Sequence, residues 1–113
     1  KERSDLREIV FHELGHAYAH NYNIPKYVTN VFGEFLDMPY LQYQYRILKY
    51  YSGDRRIGYI SRYAEVNPEE DFAETFSFVV SGRKHFNGYI VDTLNDSLLR
   101  RKIRAVRKLL RIS

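Results

Sequence analysis

Five consecutive residues, His12-Glu13-Leu14-Gly15-His16, restrict this chain more than any other feature. Histidines four apart stand about one helical turn apart and about 40° around the axis, so a helix would point both imidazoles the same way. One rigid helix can then offer two neutral nitrogen ligands to a single zinc ion. Glu13 follows the first histidine directly, where its carboxylate can reach a water at the metal without ligating the metal itself. This is the HExxH pattern, in which that glutamate serves as general base for metal-assisted hydrolysis. Asp5 and Glu8 fit a capping pair, and Leu6, Ile9, Val10, Leu14 and Ala17 recur at helical spacing. They predict a helix from residue 5 to about 21, ended near Asn21 and Asn23 before Pro25. His12 and His16 fall with Ile9 on its largely apolar stripe and are expected to face inward. Gly15 costs a helix about 1 kcal/mol relative to Ala, and is easier to understand if another backbone, or the metal site, comes close. The plainer alternative is two satisfied core histidines on an amphipathic helix.

A catalytic zinc usually takes three protein ligands and keeps one position for water. The extended pattern HExxHxxGxxH is excluded, because Ala19 and Tyr22 stand where its glycine and third histidine would be. His20 lies too far around the helix to share the metal and reads as a surface or supporting residue. Downstream, Asn67 is a strong N-cap and Pro68 a strong first helical residue, so a second helix runs from Asn67 to about Val80 and stops at Ser81-Gly82. Glu70 and Glu74 share one of its faces, beside an apolar face of Phe72, Ala73, Phe76 and Val80. Glu70 alone could be the capping-box partner of Asn67, and Glu74 alone a solvated charge. HExxH upstream favours a metal-site role for this helix.

The two motifs together resemble the gluzincin metallopeptidases, in which HExxH is followed by a helix bearing Glu-x-x-x-Asp/Glu. More closely, Tyr63-Ala64-Glu65-Val66-Asn67-Pro68-Glu69-Glu70-Asp71-Phe72-Ala73-Glu74 is similar to the catalytic region of the anthrax lethal factor and Pro-Pro endopeptidase group. The resemblance spans residues 12 to 76 and, weakly, the final helix. It implies Glu70 as third zinc ligand, Glu74 as a carboxylate holding a ligand histidine, and Tyr63 as hydroxyl donor to the oxyanion. It implies one zinc per chain, a protein or peptide substrate, and a zincin-like catalytic core. Export from the cell is favoured by the same resemblance, while a cytoplasmic location stays open. Family members usually place a small sheet and a backing helix before the active-site helix. Here only eleven residues precede His12, so most of that sheet is expected to be missing, as in a fragment, a processed form or a minimal enzyme.

Length and composition bound the rest. A chain of 113 residues is expected to form one domain, 1–113, with a modest core. No apolar run is long enough to span a bilayer, and no signal-peptide pattern is present. With no cysteine, disulfides and thiolate zinc sites are ruled out. The pattern predicts a mainly α fold with at most a small β element. A connector at 27–33 reads as a short helix or turn, Leu41 to Tyr51 as a helix, Ile57 to Ser61 as a short extended segment, and Thr93 to Arg111 as a long helix.

Eleven residues are tyrosine, and Tyr40, Tyr43, Tyr45, Tyr50 and Tyr51 cluster in the middle. They could line a substrate wall, although core packing is the more economical reading. His85 could assist an oxyanion, although a lone loop histidine usually does not. The net charge of +4 gathers in Leu98 to Arg111, which holds seven basic residues and no acidic one. Leu99, Ile103, Val106 and Leu110 form an apolar stripe there. The favoured reading packs that stripe on the core and leaves a solvated basic face; contact with nucleic acid or an anionic membrane is the alternative.

These readings converge on a zinc-dependent endopeptidase with His12, His16 and Glu70 at the metal, Glu13 and Tyr63 in the chemistry, and Glu74 in support. Two alternatives stand beside it. One is a metal-stapled, catalytically weak peptidase-like binding module using the basic helix. The other is a phage-type, repressor-cleaving metallopeptidase, whose motifs stand closer together.

Overall fold

In the computed structural model, residues 5–35, 57–91 and 93–112 are described. Helix α1, Leu6–Asn21, starts where Asp5 accepts a hydrogen bond from the Arg7 amide. Helix α2, Lys26–Phe32, follows Pro25 and ends at Gly33, whose φ of 100° only glycine adopts readily. A 3-10 turn at Tyr63–Glu65 leads to helix α3, Pro68–Ser81. A two-stranded antiparallel hairpin, β1 His85–Phe86 and β2 Tyr89–Ile90, pairs His85 with Ile90 and Phe86 with Tyr89. Helix α4, Ser97–Leu110, closes the described chain. The fold is mainly α with a very small sheet. Among the described residues, no helix is long and apolar enough to cross a membrane.

Helix α3 is the centre of the packing. Asn67 caps it by accepting from the Glu70 amide at 2.8 Å, Pro68 supplies a pre-set φ, and Gly82 in the left-handed region ends it. Every residue from Glu70 to Ser77 is buried. Phe72, Phe76 and Val79 join Val28 and Phe32 of α2 and Val106 of α4 in one core cluster, and Ile60, Ala64, Phe86 and Leu99 form a second. A buried phenylalanine such as Phe72 contributes about 1.5–3 kcal/mol by leaving water. Burying charge is costly unless each charge is paired. Helix α3 nevertheless buries Glu70, Asp71 and Glu74, and each meets a partner from another helix.

Several expectations are corrected here. The apolar periodicity of α1 does not mark its buried face: Leu6 is 71% and Leu14 49% exposed, with Ile9 and Val10 also exposed, while Glu8, His12 and Gly15 are buried. Tyr18 and Ala19 pack on the apolar core, and the rest of the inward face is held by polar contacts. Glu8, read as a capping partner, is buried and accepts from the Asn87 amide at 3.0 Å, and Ser77 donates to the Glu8 carbonyl at 2.8 Å. Residues 57–61 form turn and bend rather than a strand, because Gly58 is held at φ 96° by side chains instead of a ladder. Lys102, counted on the solvated basic face, is buried against Asp71 at 2.6 Å. Burial pushes the Asp71 carboxyl up to about 7, against the opposing pull of Lys102. The hairpin at 85–90 was not among the expected elements; it turns at Asn87-Gly88, both residues lying at positive φ. The final helix begins at Ser97 rather than Thr93, since Asp96 caps it through the Leu99 amide. The expected helix from Leu41 to Tyr51 and its tyrosine cluster, with Tyr40, lie outside the described residues.

Candidate metal centre

Helices α1 and α3 meet at a glycine. A Cβ added to Gly15 would lie 2.9 Å from the Ala73 Cα, so the close approach suggested by this glycine is to the α3 backbone. Gly15 stands between His12 and His16, and Ala73 between Glu70 and Glu74. The histidine pair therefore faces the glutamate pair. His12 Nε2 and His16 Nε2 are 3.1 Å apart, and each lies 2.9 Å from Glu70 Oε1. Glu70 is 3% exposed and His12 5%, whereas His16 is half-buried.

The other ring nitrogens are also engaged. His12 Nδ1–H donates to Glu74 Oε2 at 2.7 Å, and the Ser61 hydroxyl donates to Glu74 Oε1 at 2.6 Å. His16 Nδ1–H donates to Glu69 Oε2 at 2.5 Å, and His20 Nε2 lies 3.0 Å from the same oxygen. A carboxylate on Nδ1 fixes the tautomer, leaving Nε2 as the atom available to a metal. Burial lowers the His12 pKa, but hydrogen bonds and charge from Glu70 and Glu74 outweigh it and raise the value to about 9. His16 is also raised, with burial opposed by Glu70 and Glu69.

Glu13 lies exposed on α1, next in the chain to buried His12. Tyr63, in the 3-10 turn, is half-buried with its ring centroid 5.3 Å from that of His12. His20 is exposed beside Glu69, and His85 is exposed in the hairpin opposite Ile90. The solvated alternative for Glu74 is overturned, since it is fully buried. Glu70 does take part in the cap of α3 through its backbone amide, while its side chain turns to the histidines. Sequence reasoning missed Glu69 and Ser61. Nothing in the sequence separates Glu69 from an ordinary acidic residue in the first turn of a helix, and an isolated serine carries no signal.

His12, His16 and Glu70 offer ligand atoms that lie within 4.8 Å of one another. Zinc bonds of about 2.0–2.1 Å in a tetrahedral site put neighbouring ligand atoms about 3.3 Å apart. The separations of 2.9–3.1 Å need only a slight opening, so two imidazoles and a carboxylate fit zinc here. A second trio, His16, His20 and Glu69, is also close enough for an ion, although it shares His16 with the first.

A sequence model of the family described as "Putative zinc-binding metallo-peptidase" matches residues 1–111. The chain belongs to that family. That description names zinc as the metal, and a peptidase family implies protein or peptide substrates at most. No curated protein and no solved structure matches the chain.

Proposed function

We propose that the chain is a zinc-dependent endopeptidase of the gluzincin type, akin to the lethal factor and Pro-Pro endopeptidase group. The observation that carries this reading is the meeting of His12 Nε2, His16 Nε2 and Glu70 Oε1 between the HExxH helix and the glutamate helix. His12, His16 and Glu70 would hold one zinc ion per chain. Zinc bound there would polarise the scissile carbonyl and lower the pKa of its water to about 7.

The chain's own residues supply the rest. Glu13 takes the proton of the attacking water and later passes it to the leaving amine, and its exposure keeps its carboxylate accessible to a substrate. Tyr63 donates its hydroxyl to the oxyanion that develops on the carbonyl carbon's former double-bonded oxygen. Glu74 and Glu69 hold the two imidazoles with Nε2 presented, and Ser61 holds Glu74. Rotating His12 away would cost the fully buried Glu74 one of its two partners, and rotating His16 away would leave the half-buried Glu69 to His20.

The decisive experiment measures zinc content and cleavage of an unfolded protein such as casein, with and without a chelator. Cleavage that is lost with chelator, restored by zinc and abolished by Glu13→Gln supports the reading. Zinc binding without cleavage would make the chain a metal-stapled binding module instead.

A further inference from the structure

The residues that reach the centre from α1 and α3 are held by long helices, but Ser61 sits on a bend and Tyr63 at the start of the 3-10 turn that follows it. That stretch is anchored at Gly58. The Gly58 N–H donates to Asp96 Oδ2 at 2.9 Å, and the Gly58 carbonyl accepts from Lys102 Nζ at 2.7 Å. A Cβ on Gly58 would lie 2.7 Å from Leu98 Cδ2, and the residue holds φ 96°. All three contacts come from the N-cap and first two turns of α4.

The two gripping side chains are themselves fixed. Asp96 Oδ1 accepts from the Leu99 amide at 3.1 Å, so the carboxylate cannot swing away without uncapping α4. Lys102 Nζ also binds Asp71 Oδ2 at 2.6 Å and sits 4.0 Å over the Tyr59 ring. Asp71 follows Glu70 directly on α3. Both Asp96 and Lys102 are buried. Apolar side chains would fill the same space without the cost of desolvating charge, so an ionic grip is better explained by the geometry it imposes. From Gly58 the chain runs three residues to Ser61, which bonds Glu74, and two more to Tyr63 beside His12.

We propose that Asp96 and Lys102 are positioning residues for Tyr63. By holding the N–H and the carbonyl of Gly58 they set where the Tyr63 hydroxyl stands relative to the metal ligands, which makes the C-terminal helix part of the catalytic apparatus. This rests on the role proposed above for Tyr63.

Asp96→Asn tests it, because an amide oxygen can keep the α4 cap while its NH2 group cannot accept from Gly58. Lys102→Met is paired with Asp71→Asn so that no buried charge is left alone. Each variant is expected to lower kcat about tenfold with KM and zinc affinity unchanged, and to cost less than about twofold in the Tyr63→Phe background. Equal losses in both backgrounds would overturn the inference and leave the peptidase reading standing. If Tyr63→Phe is silent in an active enzyme, the role of Tyr63 and this inference fall together, while zinc catalysis stands. A second readout needs no activity: 3-fluorotyrosine placed at position 63 of the zinc-loaded chain, followed by 19F NMR. Its resonance is expected to shift or split with Asp96→Asn and to stay put with the exposed control Arg101→Ala. An unmoved resonance in Asp96→Asn overturns the inference whether or not the wild type cleaves anything.

Discussion

Gly15 of α1 and Ala73 of α3 stand in backbone contact, and their positions in the two motifs make that contact the axis of the centre. Each is flanked by the residues that have to meet: His12 and His16 on one helix, Glu70 and Glu74 on the other. Any side chain at position 15 pushes the helices apart. Gly15→Ala gains about 1 kcal/mol of helix propensity but meets main chain at 2.9 Å, where forced overpacking costs about 1–3 kcal/mol. The expected outcome is a lower Tm together with weaker zinc binding, read by thermal unfolding and by zinc competition titration. A more stable variant with unchanged zinc affinity would show that the contact does not set the ligand spacing.

The carboxylates of α3 that meet the histidines should differ in their effect on the metal. His12→Ala, His16→Ala and Glu70→Ala are each expected to abolish tight zinc binding. Glu74→Gln and Glu69→Gln, which act through a histidine, should weaken it about 10–100-fold. Equal loss from Glu70→Ala and Glu74→Gln would place the third ligand wrongly.

Glu13 tests chemistry apart from binding. Glu13→Gln is expected to keep zinc, fold and peptide affinity while turnover drops about 10²–10⁴-fold, since it removes a proton acceptor and no ligand. Near-normal turnover would exclude Glu13 as the base.

Tyr63→Phe removes one hydroxyl and almost no volume. A kcat about a hundredfold lower at unchanged KM and unchanged zinc affinity is the signature of an interaction made only in the transition state. A higher KM at constant kcat would instead make Tyr63 a substrate-packing residue.

The metal-free protein should respond to pH through His12. Its folded pKa of about 9 lies above the ordinary 6.5, so the protonated form favours folding. That contribution is complete below pH 6.5 and is lost as pH rises through about 9. Zinc requires a neutral Nε2, so zinc affinity should climb over the same window. Unfolding with chelator is therefore expected at progressively lower temperature between pH 6.5 and 9, and the gap between zinc-loaded and metal-free Tm should widen. A flat metal-free profile would mean that Glu70 and Glu74 do not hold a charged His12.

The motif residues and the ends of α1 and α3 were legible because they depend on local geometry. The i, i+4 spacing of His12 and His16, the Asn67-Pro68 start of α3 and its Gly82 stop are properties of a single helix turn or cap. The buried face of α1 was not legible in this way. Leu6, Ile9, Val10 and Leu14 lie exposed while Glu8, His12 and Gly15 find partners on α3 and the hairpin, and such partners are distant in sequence.

The same distinction divides the whole chain. By itself the sequence nominated His12 and His16, with Glu70 or Glu74, as candidate ligands on two helices, since side-chain chemistry and helical period are local. Tertiary structure alone decided that Glu74 takes His12 while Glu69 takes His16, and that Lys102 leaves the basic face to meet Asp71 and Gly58. A buried charge must find an opposite charge wherever the fold brings one, and that choice is made only when the helices pack.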